Sequence, residues 1–186
     1  MKDTSYRGSV VYFTEEQLDK AREYALGLQE NFGKKTLPLS KDRDIVGALG
    51  EIAVDYKLSM LQDRGLEYTA YSPYVPRQQG DFGDGKINGE IYDVKSKFVS
   101  DEKYLTNLMS DCTVLEGDQD DVVKKGIVSY IFVNVILGEQ PRAFIVGGIS
   151  TAKFWSTARR NDKLKMTGYY VKGMETKPFL NFVFHI

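Results

Sequence analysis

The chain has one cysteine, Cys112, and one histidine, His185. No intramolecular disulfide can form, which agrees with a reducing compartment and an intracellular, cytoplasmic protein. A zinc site with several histidines cannot be built in one chain, and a Ser-His-Asp or Cys-His enzyme would need His185, beside the last residue. Charge of one sign is also lacking: 25 Lys and Arg against 26 Asp and Glu leave a formal net charge of −1. No global field draws in nucleic acid or an anionic membrane, so an anionic partner must be held by local basic groups or a bound metal. The start, "MKDTSYRGSVVYF", has no signal-peptide apolar core, and no apolar run is long enough to span a membrane. The chemistry left open is that of carboxylates, lysines and hard metal ions.

What is present suits one globular domain of 186 residues, with 42% apolar and 27% charged residues. Thr14-Glu15-Glu16-Gln17 is a capping box, and Leu18, Ala21, Ala25 and Leu28 follow at helical spacing to about Gly33. "KKTLPLSKDRD" reads as a connection. A second helix is expected from about Asp42 to Leu61, with Ile45, Leu49, Ile52 and Tyr56 on its apolar face. "LEYTAYSPYV" predicts a strand ending at Pro73 or Pro76, and Asn88-Gly89 predicts a tight hairpin turn. "DEKYLTNLMSD" reads as a short helix and "EGDQDD" as a loop. "GIVSYIFVNVIL" is apolar enough for a central buried strand, pairing with "PRAFIVGGIS" across a turn. "STAKFWSTARRND" is expected as a helix, "TGYYVKGM" and "FLNFVFHI" as late strands. The expectation is an α/β fold: one mixed central sheet flanked by helices. The core lies at about residues 42–150, with the helix 14–32 and C-terminal strands as additions.

Two features of this pattern suggest chemistry. In "GALGEIAVDYKL", Glu51 and Asp55 share a helix face, which alone reads as a solvated acidic surface. Gly47 and Gly50 each cost about 1 kcal/mol against alanine inside a helix, so something is expected to approach closely there. In "GDFGDGKINGEIYDVKSKF", Asp93 and Lys95 point the same way from one strand. With a two-residue turn Asp84 faces Asp93, an unfavourable pairing unless a cation intervenes. Gly83 and Gly85 permit a bulge that would change the partner, so Asp81 or Asp84 completes the cluster. An EF-hand fails, because the third, fifth and twelfth positions from Asp81 are Gly83, Gly85 and Tyr92. A phosphate loop fails for want of full spacing and a Ser or Thr after the lysine. Two carboxylates and the carbonyl between Asp93 and Lys95 are hard oxygen donors suited to Mg²⁺, and a lysine there can orient water.

Glu51 in "GALGEIAV", Asp81 in "GDFGDG", and Asp93 with Lys95 in "IYDVKSKF" together resemble the PD-(D/E)XK, restriction-endonuclease-like nuclease superfamily. The resemblance spans roughly Ile45 to Gly148, and departs from the pattern in having Gly80 before the aspartate where the family name has proline. It implies a Mg²⁺-dependent DNA nuclease of the phage, repair or restriction kind, with Mn²⁺ able to substitute. Asp81 and Asp93 would bind metal, Val94 would offer its carbonyl, Lys95 would position the water and Glu51 would complete the site. All four side chains are expected to converge in one cleft, with a bulge making Asp81 rather than Asp84 the ligand. Arg77, Gln78, Gln79 and Lys97 flank the site and are expected to meet substrate. Arg159, Arg160, Lys163 and Lys165 form a basic cluster that reads more simply as a solvated helix end, and Trp155 reads as packing. A homodimer is left open. The alternatives are a non-catalytic nucleic-acid-binding or assembly protein on the same fold, favoured by the near-neutral charge, and an RNA-processing nuclease. If the chain is phage-encoded, its place is the host cytoplasm.

Overall fold

A computed structural model describes residues 9–32, 41–70, 83–161 and 167–185. Its centre is the apolar run read above. Strand β6, Ile127–Ile136, turns Ile131, Val133 and Val135 to one face and Tyr130 and Phe132 to the other, and all five are buried. A strand apolar on both faces needs cover on both. Around it runs a six-stranded sheet ordered β1-β7-β6-β4-β3-β2. The other strands are β1 (Ser9–Tyr12), β2 (Tyr68–Ala70), β3 (Gly85–Ile87), β4 (Glu90–Phe98) and β7 (Arg142–Ser150). Only β4 and β6 run parallel; every other neighbouring pair is antiparallel.

Helices α1 (Glu15–Phe32) and α2 (Lys41–Ser59) cover one face, joined by α6 (Phe179–Val183). Leu18, Ala21 and Ala25 of α1 are buried at the expected spacing, and the capping box forms: Thr14 N–H donates to the Gln17 side chain and Gln17 N–H to Thr14 Oγ1. On α2 the buried stripe centres on Val46, Leu49, Ala53 and Val54, whereas Tyr56 is exposed. The other face carries α3 (Glu102–Leu105), α4 (Asp118–Lys125), α5 (Thr151–Thr157) and a three-stranded sheet. That sheet is ordered β5-β9-β8, from Asp111–Leu115, Gly168–Lys172 and Arg159–Asn161. No described helix is long and apolar enough to cross a membrane.

The expected α/β class holds, and five local readings are corrected. Ser9–Tyr12, in the segment read as lacking a signal-peptide core, is an edge strand paired with β7. Asp111–Leu115 is a strand, not the end of a helix segment. "EGDQDD" leads into helix α4: Asp118, Asp120 and Asp121 fill its first turn and Lys124 and Lys125 its last, the order its dipole favours. Arg159–Asn161 is a strand, because Ala158 turns extended and ends α5 at Thr157. "FLNFVFHI" is a helix, not a strand: Phe179, Phe182 and Val183 are buried at helical spacing after Pro178.

The hairpin forms as read. Asn88 and Gly89 both take positive φ, 50° and 85°, as a tight turn needs. Ile87 faces Glu90 and Gly85 faces Tyr92, where the register ends; beyond it the Asp84 N–H donates to the Tyr92 carbonyl at 2.9 Å. The chain turns away at Gly83, where φ is 83°.

Gly50 and Gly47 behave differently. A Cβ on Gly50 would lie 1.7 Å from Ser96 Oγ and 2.9 Å from Ser96 Cβ, so β4 does approach α2 closely here. Rotating the serine cannot clear both atoms. Gly47 has nothing within 4 Å. Gly50→Ala is therefore expected to destabilise by about 1–3 kcal/mol through overpacking, and Gly47→Ala to stabilise by roughly 0.5–1 kcal/mol through helix propensity. Urea midpoints of the two variants check this. Equal shifts of the same sign would count against the close approach.

Candidate functional site

Side chains of β4 alternate between the two layers, and this alternation sorts the acidic and basic groups into two clusters. Tyr92, Val94 and Ser96 face α2. Asp93, Lys95 and Lys97 face α4 and the small sheet. On that second face Lys95 Nζ lies 2.8 Å from Asp93 Oδ2 and 3.2 Å from Asp118 Oδ2, and sits 5.9 Å from the Tyr130 ring centroid. Asp118 opens α4, and its Oδ2 also accepts from Leu115 N–H at 3.1 Å, which fixes the carboxylate against the strand.

Burial works against the Lys95 ammonium, but Asp93 and Asp118 together more than offset it and hold the group charged, above the usual lysine range. The Lys95 side chain keeps 23% of its surface, so it is reachable from solvent. Behind it, burial pushes the Tyr130 phenol up to about 12. Lys97 lies further along the strand. Its Nζ donates to the Asp111 carbonyl at 3.0 Å, and burial lowers its pKa. The residue expected to meet substrate instead ties the small sheet to β4.

The α2 face holds the other cluster. Tyr92 is buried, and its phenol is raised by burial and by the charges of Asp84, Asp55 and Glu51. Burial raises the Asp55 carboxyl as well, and a hydrogen bond from Tyr68 offsets only part of this. A carboxyl raised on folding favours the folded state below its unfolded pKa, and that contribution is lost as pH rises through the folded value. Asp55→Asn is therefore expected to gain stability relative to wild type at neutral pH and less at about pH 4. Urea midpoints at the two pH values test the sign.

Glu51 follows Gly50, the point where α2 docks on Ser96, so it is delivered to the face opposite Asp93 and Lys95. The expected convergence of Glu51 with Asp93 and Lys95 is corrected: helix and lysine lie on opposite sides of the sheet. Asp81, Arg77, Gln78 and Gln79 lie outside the described residues, as do Lys163 and Lys165. Arg159 pairs with Glu175, and its guanidinium lies 5.2 Å from the Tyr170 ring centroid. Trp155 packs edge-on between Phe154 and Tyr169, as read. The residue the sequence reading missed is Asp118. Its signal was an acidic turn followed by a lysine pair, which marks a helix and hence a fixed carboxylate.

Asp84 is 8% exposed, and its Oδ2 accepts from Val94 N–H at 2.6 Å. It thus takes the place of the strand partner that β3 no longer supplies beyond Gly85. A strand residue turns its N–H and C=O to the same edge, so the Val94 carbonyl points toward the edge that Asp84 caps. Among the described residues no three acidic, cysteine or histidine side chains come together to hold a metal. The donors present at this place are the Asp93 carboxylate and the Val94 carbonyl, hard oxygens of the kind Mg²⁺ takes alongside water. Those two oxygens suit such an ion in kind, and Asp81, the expected further carboxylate, lies outside the described residues. Neither a protein-family model, nor a curated protein, nor a solved structure matches this chain.

Proposed function

We propose that the chain is a Mg²⁺-dependent deoxyribonuclease that hydrolyses phosphodiester bonds, on a restriction-endonuclease-like core. One observation carries the reading: Asp93 and Lys95 stand side by side on β4, with the ammonium kept charged and the lysine side chain partly exposed. Asp93, the Val94 carbonyl and Asp81 would hold the ion, with Mn²⁺ as a substitute. Bound there, it supplies positive charge against the phosphate and makes a water more acidic. Lys95 donates a hydrogen bond to the attacking water and offsets charge that develops on the phosphate oxygens. Asp118, rather than Glu51, supplies the second carboxylate that orients Lys95. Asp84 holds Val94 N–H and with it the strand edge. Glu51 lies on the other face, where its charge reaches the Tyr92 phenol.

The direct test is nicking of supercoiled plasmid, and cleavage of single- and double-stranded DNA, in Mg²⁺ or Mn²⁺ against EDTA. Inactivity on every substrate in both ions overturns the enzyme. Within that assay Asp81→Asn is expected to abolish cleavage. Asp84→Asn is expected to act mainly through stability, because its carboxylate is committed to Val94. Loss of activity only in the second variant would move the ligand to Asp84.

A second reading is favoured by a specific observation: Lys95 is already clasped by two carboxylates, an arrangement that also serves structure alone. On that reading the chain is a non-catalytic nucleic-acid-binding or assembly protein. It would bind DNA without metal-dependent cleavage.

A further inference from the structure

Away from β4's acidic and basic pair, a cavity of about 500 Å³ opens where the start of β6, the end of β7 and helix α6 meet. Its lining includes Ser129, Ile149, Lys153, Lys177 and Phe182, with Glu90 also contributing. Ser129 is 2% exposed, yet its hydroxyl has no hydrogen-bond partner among the described residues. A buried hydroxyl left without a partner costs free energy, and most such groups in folded proteins are satisfied. The Ser129 oxygen keeps almost no accessible surface, so the hydroxyl is walled off from the cavity and takes no part in what binds there. Lys153 and Lys177 are exposed, and among the described residues neither ammonium has an ion pair. Glu175 also lines the cavity, but its carboxylate is taken by Arg159 and the Lys172 N–H. Glu175 therefore does not neutralise the two lysine charges. Ile149 and Phe182 give the cavity an apolar wall, and Glu90 adds an acceptor.

We propose that this cavity binds a small organic phosphate of the size of a nucleoside monophosphate. The phosphate is held by Lys153 and Lys177. The body lies against Ile149 and Phe182, with a hydroxyl or amino group donating to Glu90. The volume argues against a bare anion, because it falls within the range of organic-ligand pockets, roughly 300–1,000 Å³. The two lysines argue against a neutral ligand. None of these groups belongs to the Asp93 and Lys95 site, so the inference stands apart from the nuclease reading.

Calorimetric titration of the full chain with inorganic phosphate, a nucleoside and a nucleoside 5′-monophosphate tests it without measuring cleavage. The monophosphate is expected to bind at least about 10-fold more tightly than either fragment. Lys153→Gln with Lys177→Gln is expected to weaken it about 10-fold or more and to remove most of its salt dependence. Both lysines are exposed, so the double variant is expected to fold, and circular dichroism verifies this. No saturable binding of the monophosphate up to ~10 mM overturns the proposal. So does binding unmoved by the double lysine variant, or inorganic phosphate bound as tightly as the nucleotide.

Discussion

Lys95→Ala is expected to lower the rate of DNA cleavage on the order of 10²-fold or more, as loss of one preorganised stabilising group does. DNA affinity, measured in Ca²⁺ to support binding without cleavage, is expected to change little. The asymmetry follows from position. Lys95 is held by Asp93 and Asp118 on the sheet face, so it is oriented before substrate arrives. A group preorganised in this way acts where charge develops, and contributes little to holding a long phosphate backbone. Its folded pKa is raised, so the stability it contributes is fully present below the unfolded lysine value. That contribution is lost only as pH rises through the higher folded value. Lys95 therefore stays charged throughout the neutral range, and a rate change near neutrality must come from another group. Removing it also leaves Asp93 and Asp118 facing each other, so the urea midpoint has to be measured with the rate. A variant that binds DNA less tightly, beside a wild type that never cleaves, would establish the binding-protein reading.

The parts of this fold that were legible in the sequence are those fixed by neighbours along the chain. Asn88-Gly89 dictates its own turn, and that turn sets the register from Ile87 opposite Glu90 to Gly85 opposite Tyr92. The apolar run of β6 announces a strand covered on both faces. The spacing of Asp93 and Lys95 guarantees a shared face. What was not legible depends on partners far away in sequence. Which face of β4 receives α2 is decided by Gly50 meeting Ser96, and that contact sends Glu51 away from Lys95. Helical periodicity says that Glu51 and Asp55 travel together, but not to which side of a sheet they travel. The small sheet is harder still, since β5 pairs Asp111 with Lys172 across a long separation. Strand propensity in "FLNFVFHI" was overruled by burial of Phe179, Phe182 and Val183 against the central sheet, a tertiary effect. Asp118 is not legible because "EGDQDD" reads as a loop, whereas its first aspartate is fixed by a strand N–H and a lysine.

The largest expected effect on stability is at Phe154, whose ring joins the layer behind Lys95 to the sheet. Phe154 is fully buried, 5.4 Å by ring centroid from Tyr130, 6.0 Å from Phe132 and 5.2 Å from Trp155. The contacts with Tyr130 and Trp155 are edge-on, the arrangement aromatic quadrupoles favour. Phe154→Ala removes the transferred surface and leaves a cavity that its neighbours on β6 and α5 cannot close without moving. The expected cost is about 3–5 kcal/mol, a large share of the stability of an ordinary domain. Phe154→Leu keeps most of the volume and is expected to cost well under half as much. The effect should also reach the candidate site, because Tyr130 lies between Phe154 and the Lys95 ammonium. A Tyr130 ring that relaxes into the cavity withdraws from the lysine, and Asp93 and Asp118 are then left as its only close neighbours of those described. The urea midpoint with an unchanged slope would report the stability loss cleanly, since the slope follows the surface exposed on unfolding. Cleavage measured well below the new midpoint would separate a disturbed site from a smaller folded fraction. If Phe154→Ala costs no more than Phe154→Leu, the aromatic layer is not the support that holds α5 and Tyr130 behind Lys95.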